Sequence, residues 1–259
     1  MRKAVLLVLL SMVLVGPTEP VRADETPPVW RVCVGDQVVL PYLSNDPDKP
    51  GLAERLMVKA GNLAGLSVQL LRYPIKRCSA LFDGGEVDSV IRAPLGAHLQ
   101  RFQFPLKGDA VDAGRRLARI NIVWVRRAET RLDWDGQRFH GLLDVTAKPL
   151  IGSRAALGAA TLPLLAQGYQ VDDGATTTEQ ALAKLNGRRV EVVVGLQEEI
   201  EAALRDPKLQ GLIVMEHPFS VSDYHVVVRK NLPPAQQVRV EAWWTAVGRL
   251  RDTAEFKPR

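Results

Sequence analysis

Charge is the first chemistry this chain offers. Its 34 basic residues are 24 Arg and 10 Lys. A guanidinium donates two parallel hydrogen bonds to a carboxylate or phosphate, where an ammonium is only a point charge. The arginine bias therefore supplies material for an anion site, although genome composition also raises arginine. Groups that would transform a bound molecule are harder to find. There is no Gly-x-Ser-x-Gly elbow, phosphate loop, dinucleotide fingerprint or His-Glu-x-x-His. His98, His140, His217 and His225 lack metal-ligand spacing and read as surface or hydrogen-bonded structural residues. No metal and no cofactor is expected. The acidic pairs Asp172-Asp173 and Glu198-Glu199 read as solvated faces rather than catalytic carboxylates. Taken together, these residues favour binding over catalysis.

The chain begins with a leader. Arg2 and Lys3 precede an apolar run from Ala4 to Val15, followed by Pro17, Pro20 and the small-residue spacing Val21-Arg22-Ala23. This is the pattern of a secretory signal peptide over residues 1–23. The run falls well short of the roughly 20 apolar residues that span a bilayer, and no later segment resembles a span. Losing Arg2, Lys3, Arg22 and Glu19 with the leader lowers the net charge from +5 to +3. That charge is mild and no nucleic-acid motif accompanies it, so no nucleic-acid partner is expected. Export to an oxidising compartment with only two cysteines suggests one bridge, Cys33 to Cys78. Two buried free thiols are the alternative, and titrating the denatured, unreduced chain for thiols separates them.

Hydrophobic residues at 46% and charged residues at 24% exclude a disordered chain. The length suits one large or two modest domains. Val29 to Leu40 reads as a buried strand, and 51–66 as an amphipathic helix. Ser67 to Tyr73 is a strand, Ile75 to Asp83 a helix ended by Gly84-Gly85, and Val87 to Ile91 a strand. Such alternation implies a parallel sheet with right-handed crossovers. The second half repeats it. Ile120 to Arg126 is a strand, and Arg127 to Gly141 a polar loop. Pro149 to Ser153 is a strand, and Thr161 to Gln167 starts a helix. Thr178 is expected to cap the helix Thr178 to Leu185, and Val190 to Val194 is a strand before the helix Gln197 to Arg205. Leu212 to Met215 and Tyr224 to Arg229 are strands. The closing helix, Pro234 to Leu250, carries the stripe Val238, Ala242, Ala246 and Leu250. The expected fold is therefore two α/β lobes, near 28–118 and 119–218. Periodicity does not say which lobe takes the C-terminal strand and helix.

The stretch Tyr73-Pro74-Ile75-Lys76-Arg77-Cys78-Ser79-Ala80-Leu81-Phe82-Asp83-Gly84-Gly85-Glu86-Val87-Asp88 resembles the family 3 extracellular solute-binding proteins, the periplasmic receptors of polar amino-acid ABC transporters. Pro41-Tyr42 after the first strand is similar to that family's Pro-aromatic pair. Leu150-Ile151-Gly152 with Gly158 to Thr161 resembles its second-lobe strand, turn and helix start. Thr178 to Val194 and Tyr224 to Lys230 are similar to its later helix and returning strand. The order and spacing of these pieces carry the likeness over nearly the whole mature chain. It implies a two-lobe periplasmic binding protein-like fold of type II, each lobe a mainly parallel sheet flanked by helices, joined by two crossing segments. Residues 28–118 and 219–259 would form the first lobe and 119–218 the second. It also implies a periplasmic monomer that binds a small-molecule ligand between the lobes for an inner-membrane ABC permease.

Departures from the family pattern shape the expected site. The ligand-gripping Thr-x-x-Arg becomes Ala97-His98-Leu99-Gln100-Arg101, with Arg101 displaced by about one residue. The acidic residue that often ends the second-lobe strand is replaced by Gly195-Leu196. An ammonium group would lack its partner there, so a small anionic solute is expected in place of an ordinary amino acid. First-lobe candidates are Asp36, Tyr42, Arg77, Arg92 and Arg101. Tyr42 would cover the ligand and the arginines would pair with it, with Asp36 orienting one of them. Second-lobe candidates are Arg154, Gly158, Ala159 and Thr161, through backbone amides and a hydroxyl at a helix start. No residue is assigned a catalytic role. The alternatives are a receptor reporting to a sensor system, or an enzyme on the same two lobes such as a cyclohexadienyl dehydratase.

Overall fold

The structure is a computed structural model that describes residues 27–44, 46–142, 147–155 and 157–258. The expected leader, residues 1–23, lies outside the described residues. In chain order the first part comprises β1 (Val29–Gly35), α1 (Leu52–Leu63), β2 (Ser67–Tyr73), α2 (Ile75–Gly84), β3 (Ser89–Arg92) and α3 (Gly96–Arg101). The short strands β4 (Leu106–Lys107) and β5 (Ala110–Val111) follow, then the long β6 (Ala118–Arg127) and the hairpin β7 (Asp133–Trp134) and β8 (Phe139–His140). The remainder comprises β9 (Ile151–Arg154), α4 (Gly158–Ala166), β10 (Val171–Ala175), α5 (Thr178–Asn186), β11 (Val192–Leu196), α6 (Gln197–Ala203), β12 (Leu212–Val214), β13 (Ser220–Val228) and α7 (Pro234–Arg251).

One mixed sheet runs β10-β9-β11-β6-β13-β3-β1-β2, with β12 added on β6. β1 pairs in parallel with β2 and β3, and β9 in parallel with β10 and β11. Helices make the crossovers, as parallel neighbours require. The two parallel blocks are linked through β6 and β13, which run antiparallel. Ser220 to Tyr224 of β13 pair with β6, whereas His225 to Val228 pair with β3. A single strand thus belongs to both halves, and the apolar clusters divide accordingly.

Several local expectations are corrected. The strand read over Val29 to Leu40 stops at Gly35. Beyond it Asp36 donates its amide to the Tyr73 carbonyl, and the chain turns through Val39 to Leu43. Val38 and Leu40 are 44% and 51% exposed, so an apolar run became a rim rather than a buried strand. The expected polar loop 127–141 contains β7 and β8. Their Trp134 and Phe139 pack on Trp124, with ring centroids 5.5 and 4.8 Å away. Thr177, not Thr178, caps α5 by accepting from the Gln180 amide, because Thr178 is buried and its hydroxyl is used elsewhere.

The buried face of α7 also differs from the expected stripe. It consists of Val240, Trp243, Trp244 and Val247, while Val238 is solvent-exposed. Two adjacent tryptophans carry more apolar area than the alanines of that stripe and set the helix rotation. Trp243 Nε1 donates to the Met57 carbonyl at 3.0 Å and Trp244 Nε1 to that of Val226 at 2.8 Å. These bonds seat α7 on α1 and β13. Cys33 of β1 and Cys78 of α2 are joined in a disulfide, both side chains buried.

His225 sits where β13 passes from one half to the other. It is buried, its Nε2 lies 3.2 Å from the Asp112 carbonyl, and its Nδ1 has no partner. Burial pushes its pKa below the usual histidine value. The unfolded chain therefore takes up this proton before the folded one does. Stability contributed at neutral pH is expected to fall as pH drops below about 6.5. Thermal melts between pH 8 and 5 check this, and His225→Gln should flatten that part of the profile. An unchanged slope in the variant would remove His225 as the cause.

Candidate functional site

The carboxyl ends of the parallel strands are where an open α/β sheet offers a crevice. In the first half, β1 runs into the rim loop, β2 into the start of α2, and β3 toward α3. In the second, β9, β10 and β11 lead into α4, α5 and α6.

The rim loop that carries Tyr42 is docked on the start of α1. Leu52 N donates to the Pro41 carbonyl at 2.8 Å and Ala53 N to the Tyr42 carbonyl at 3.1 Å. A Cβ at Gly51 would lie 2.2 Å from that Tyr42 oxygen, so only glycine permits this approach. Glu54 is 1% exposed and gathers four donors: Gly51 N at 2.7 Å, Ser44 N at 3.1 Å, Ser44 Oγ at 3.2 Å and Arg72 Nη2 at 2.6 Å. Sequence reasoning missed this residue, although Gly51-x-x-Glu54 has capping-box spacing. Glu54→Ala is expected to cost about 3–5 kcal/mol, because it leaves Arg72 and three further donors without their acceptor. Urea unfolding measures it. A loss under about 1 kcal/mol would show that the loop does not depend on Glu54.

Across the crevice, Tyr42 Oη donates to Glu198 at 2.8 Å, and Arg154 Nη2 lies 3.4 Å from the Val38 carbonyl. Both contacts join the rim loop to the second half. Arg154 holds Glu199 with two hydrogen bonds, at 2.8 and 2.9 Å, and Thr178 Oγ1 donates to the same carboxylate at 2.6 Å. The pair Glu198-Glu199 is therefore not a solvated face, contrary to expectation. One member bridges the halves and the other neutralises Arg154. Burial first, and the Glu198 carboxylate second, push the Tyr42 phenol well above its usual pKa, so it remains a donor. A cavity of about 580 Å³ lies here. Val38, Leu40 and Pro41 form its apolar wall, and Arg154, Thr178 and Glu199 lie opposite.

Two candidate arginines, Arg92 and Arg101, come together on the other flank of the first half, around Ser79 and Phe102. Arg92 donates to Ser79 Oγ and to the Ile91 carbonyl, both at 2.7 Å, and its guanidinium lies 5.6 Å from the Phe102 ring centroid. Among the described residues no carboxylate lies within ion-pair distance of it. Burial, and next the neighbouring Arg101, disfavour its charge. Arg101 is paired with Asp83 and reaches the Ser79 carbonyl at 3.4 Å. Arg77 is exposed and stacks 4.9 Å from the Tyr73 centroid. Asp36 is exposed at the end of β1.

Gly158 and Ala159 open α4, where Ala160 N and Thr161 N both turn back to the Leu157 carbonyl. Thr161 is buried and its hydroxyl lies 3.4 Å from that same carbonyl, so it is engaged within its own helix. Leu196, ending β11, is buried and apolar. Of the candidate residues, Arg154 lines the crevice cavity with its charge taken by Glu199, while Arg92 and Arg101 stand apart from it near the end of β3.

No protein-family profile matches this sequence, and no curated protein matches it either. Solved structures do match. The L-cystine solute receptor of Neisseria gonorrhoeae, in its unliganded open conformation, is 13% identical, with a TM-score of 0.57 over 87% of this chain and 88% of that one. The second substrate-binding domain of a putative amino-acid ABC transporter from Streptococcus pneumoniae is 12% identical, with a TM-score of 0.55 over 87% and 95%. A histidine kinase sensor domain with similarity to periplasmic binding proteins is 16% identical, with a TM-score of 0.56 over 88% and 92%. This chain therefore has the two-lobe, periplasmic binding protein-like α/β fold. Among its described residues, no helix is long and apolar enough to cross a membrane.

Proposed function

We propose that this chain is an exported receptor that captures a small anionic solute between its lobes without altering it and delivers it to an inner-membrane ABC permease. The observation that carries the reading is Arg92: a partly buried guanidinium near the carboxyl end of β3 whose partners among the described residues are a hydroxyl, a carbonyl and the Phe102 ring. Arg101 adds positive charge beside it over the same Phe102 ring, and an anion would complete the pair. The interlobar contacts of Tyr42 and Arg154 support closure of the crevice by hinge motion. Fold neighbours that are solute receptors support the same reading. An ammonium-bearing ligand is disfavoured because β11 ends in the buried Leu196, and Glu198 and Glu199 are already engaged.

A thermal-shift screen of dicarboxylates, sulfonates, phosphates and amino acids tests the ligand class. A ligand at a hundred times its Kd should stabilise the chain by about 2.7 kcal/mol. Tight binding confined to ammonium compounds without excess negative charge would end the anion reading. Uptake of the labelled hit in cells lacking this chain tests delivery. Uptake should collapse; unchanged uptake with an altered transcriptional response would instead make the chain a sensor's receptor.

A further inference from the structure

A second cationic pocket lies at the start of β6 and adjoins the crevice cavity, with which it shares Pro258. Its volume is about 120 Å³, and its walls include Tyr42 of the rim loop, Leu52 at the start of α1, Ala118 at the start of β6, and Phe256 of the tail. Arg116, Arg119, Arg251 and Lys257 also line it. Among the described residues, two carboxylates answer these four cations. Asp223 receives Arg119 at 2.8 and 2.9 Å, and Asp252 receives Arg251 at 3.0 and 2.6 Å. Arg116 shares Asp223 with Arg119 and has no carboxylate of its own among the described residues. Its Nη1 donates to the Ala113 carbonyl at 2.7 Å, while its buried Nε has no hydrogen-bond partner and lies 3.4 Å from Asp223 without bonding geometry. Lys257 is exposed and has no ion-pair partner among the described residues.

We propose that this pocket binds a small tetrahedral oxyanion, inorganic phosphate or sulfate, with Arg116 as its principal donor. Buried donors without acceptors are costly, and buried like charges repel. Burial, and next the charge of Arg251, already disfavour the ionised form of Arg116. A doubly charged oxyanion relieves both effects and presents acceptors in several directions to donors converging from the hinge, α7 and the tail. The space admits an oxyanion with little room for a larger body. The site does not depend on what the crevice holds. Occupancy ties the tail and the end of α7 to the loop carrying Tyr42, where the first lobe passes into β6.

The test is calorimetric titration of the whole exported chain with sodium phosphate and sodium sulfate at constant ionic strength, with sodium chloride as a parallel arm. Saturable binding of both oxyanions is expected, with affinity at least tenfold weaker in Arg116→Gln and unchanged in Arg138→Gln, which removes an exposed charge away from both sites. Asp252→Asn removes a competing, exposed carboxylate and should tighten binding severalfold, a gain that loss of structure does not produce. This variant decides the matter even if Arg116→Gln fails to fold. Binding equal in chloride, binding weakened alike in Arg138→Gln, or affinity unmoved by Asp252→Asn would each overturn the proposal.

Discussion

Replacing Cys33 and Cys78 with alanine is expected to lower the thermal midpoint by about 8–16 °C. The bridge spans a sequence separation of 45. In the chain-entropy account, closing a loop of that length removes about 4 kcal/mol of disorder from the unfolded chain. For a domain of this size each kcal/mol moves the midpoint by roughly 2–4 °C. The loop contains α1 and β2, and the bridge clamps α2 to β1. Because Arg77 and Ser79 flank Cys78 on α2, loosening that clamp should also blur the arginine cluster and weaken solute binding. Differential scanning calorimetry of the double variant measures the first effect. A shift below about 2 °C would mean that neither the covalent link nor the two buried sulfurs are needed to hold β1 to α2. Two reactive thiols in the denatured, unreduced wild type would show that the bridge is not formed at all.

Arg92→Gln is expected to weaken solute binding about 10- to 150-fold while leaving the fold intact. A hydrogen bond to a charged group contributes about 1.5–3 kcal/mol, which is that range of affinity. Arg92 has no carboxylate to abandon among the described residues, so its removal leaves no orphaned acid. Arg101→Gln should matter less, because Arg101 is already shared with Asp83. Titration calorimetry with the tightest solute of the screen reads both variants, and the thermal midpoint controls for folding. A loss under threefold for Arg92→Gln, with the crevice variant Tyr42→Phe more damaging, would move the recognition site to the cavity between the rim loop and Arg154.

The two predictions differ in how readily they follow from the chain read in one dimension. The cysteine pairing was legible because two cysteines have one intramolecular pairing available. The arginine argument was legible only in outline. Arg77, Arg92 and Arg101 stand near strand and helix ends that periodicity marks, but their partners do not. Asp83 takes the charge of Arg101, and Glu199 takes that of Arg154. Arg92, half-buried, keeps only neutral partners among the described residues, whereas Arg77 lies exposed against the Tyr73 ring. Thr161 was legible as part of a helix start, yet its hydroxyl turned out to serve its own backbone. The rim residues Val38 and Leu40 were misread because an apolar run looks the same whether it enters a sheet or edges a crevice.

Local periodicity and covalent constraint belong to the sequence itself. The alternation of strands and helices, the parallel sheet it forces, the glycine stops and the cysteine pair all arise from neighbours a few residues apart or from valence. Tertiary structure decided which charges remain available and where the halves touch. Tyr42 and Glu198 are 156 residues apart in the chain, and Arg154 and Glu199 are 45 apart. Ion pairing and desolvation depend on distances of a few ångströms. Only folding brings such groups together, so their state is set by the completed fold and not by any stretch of the chain.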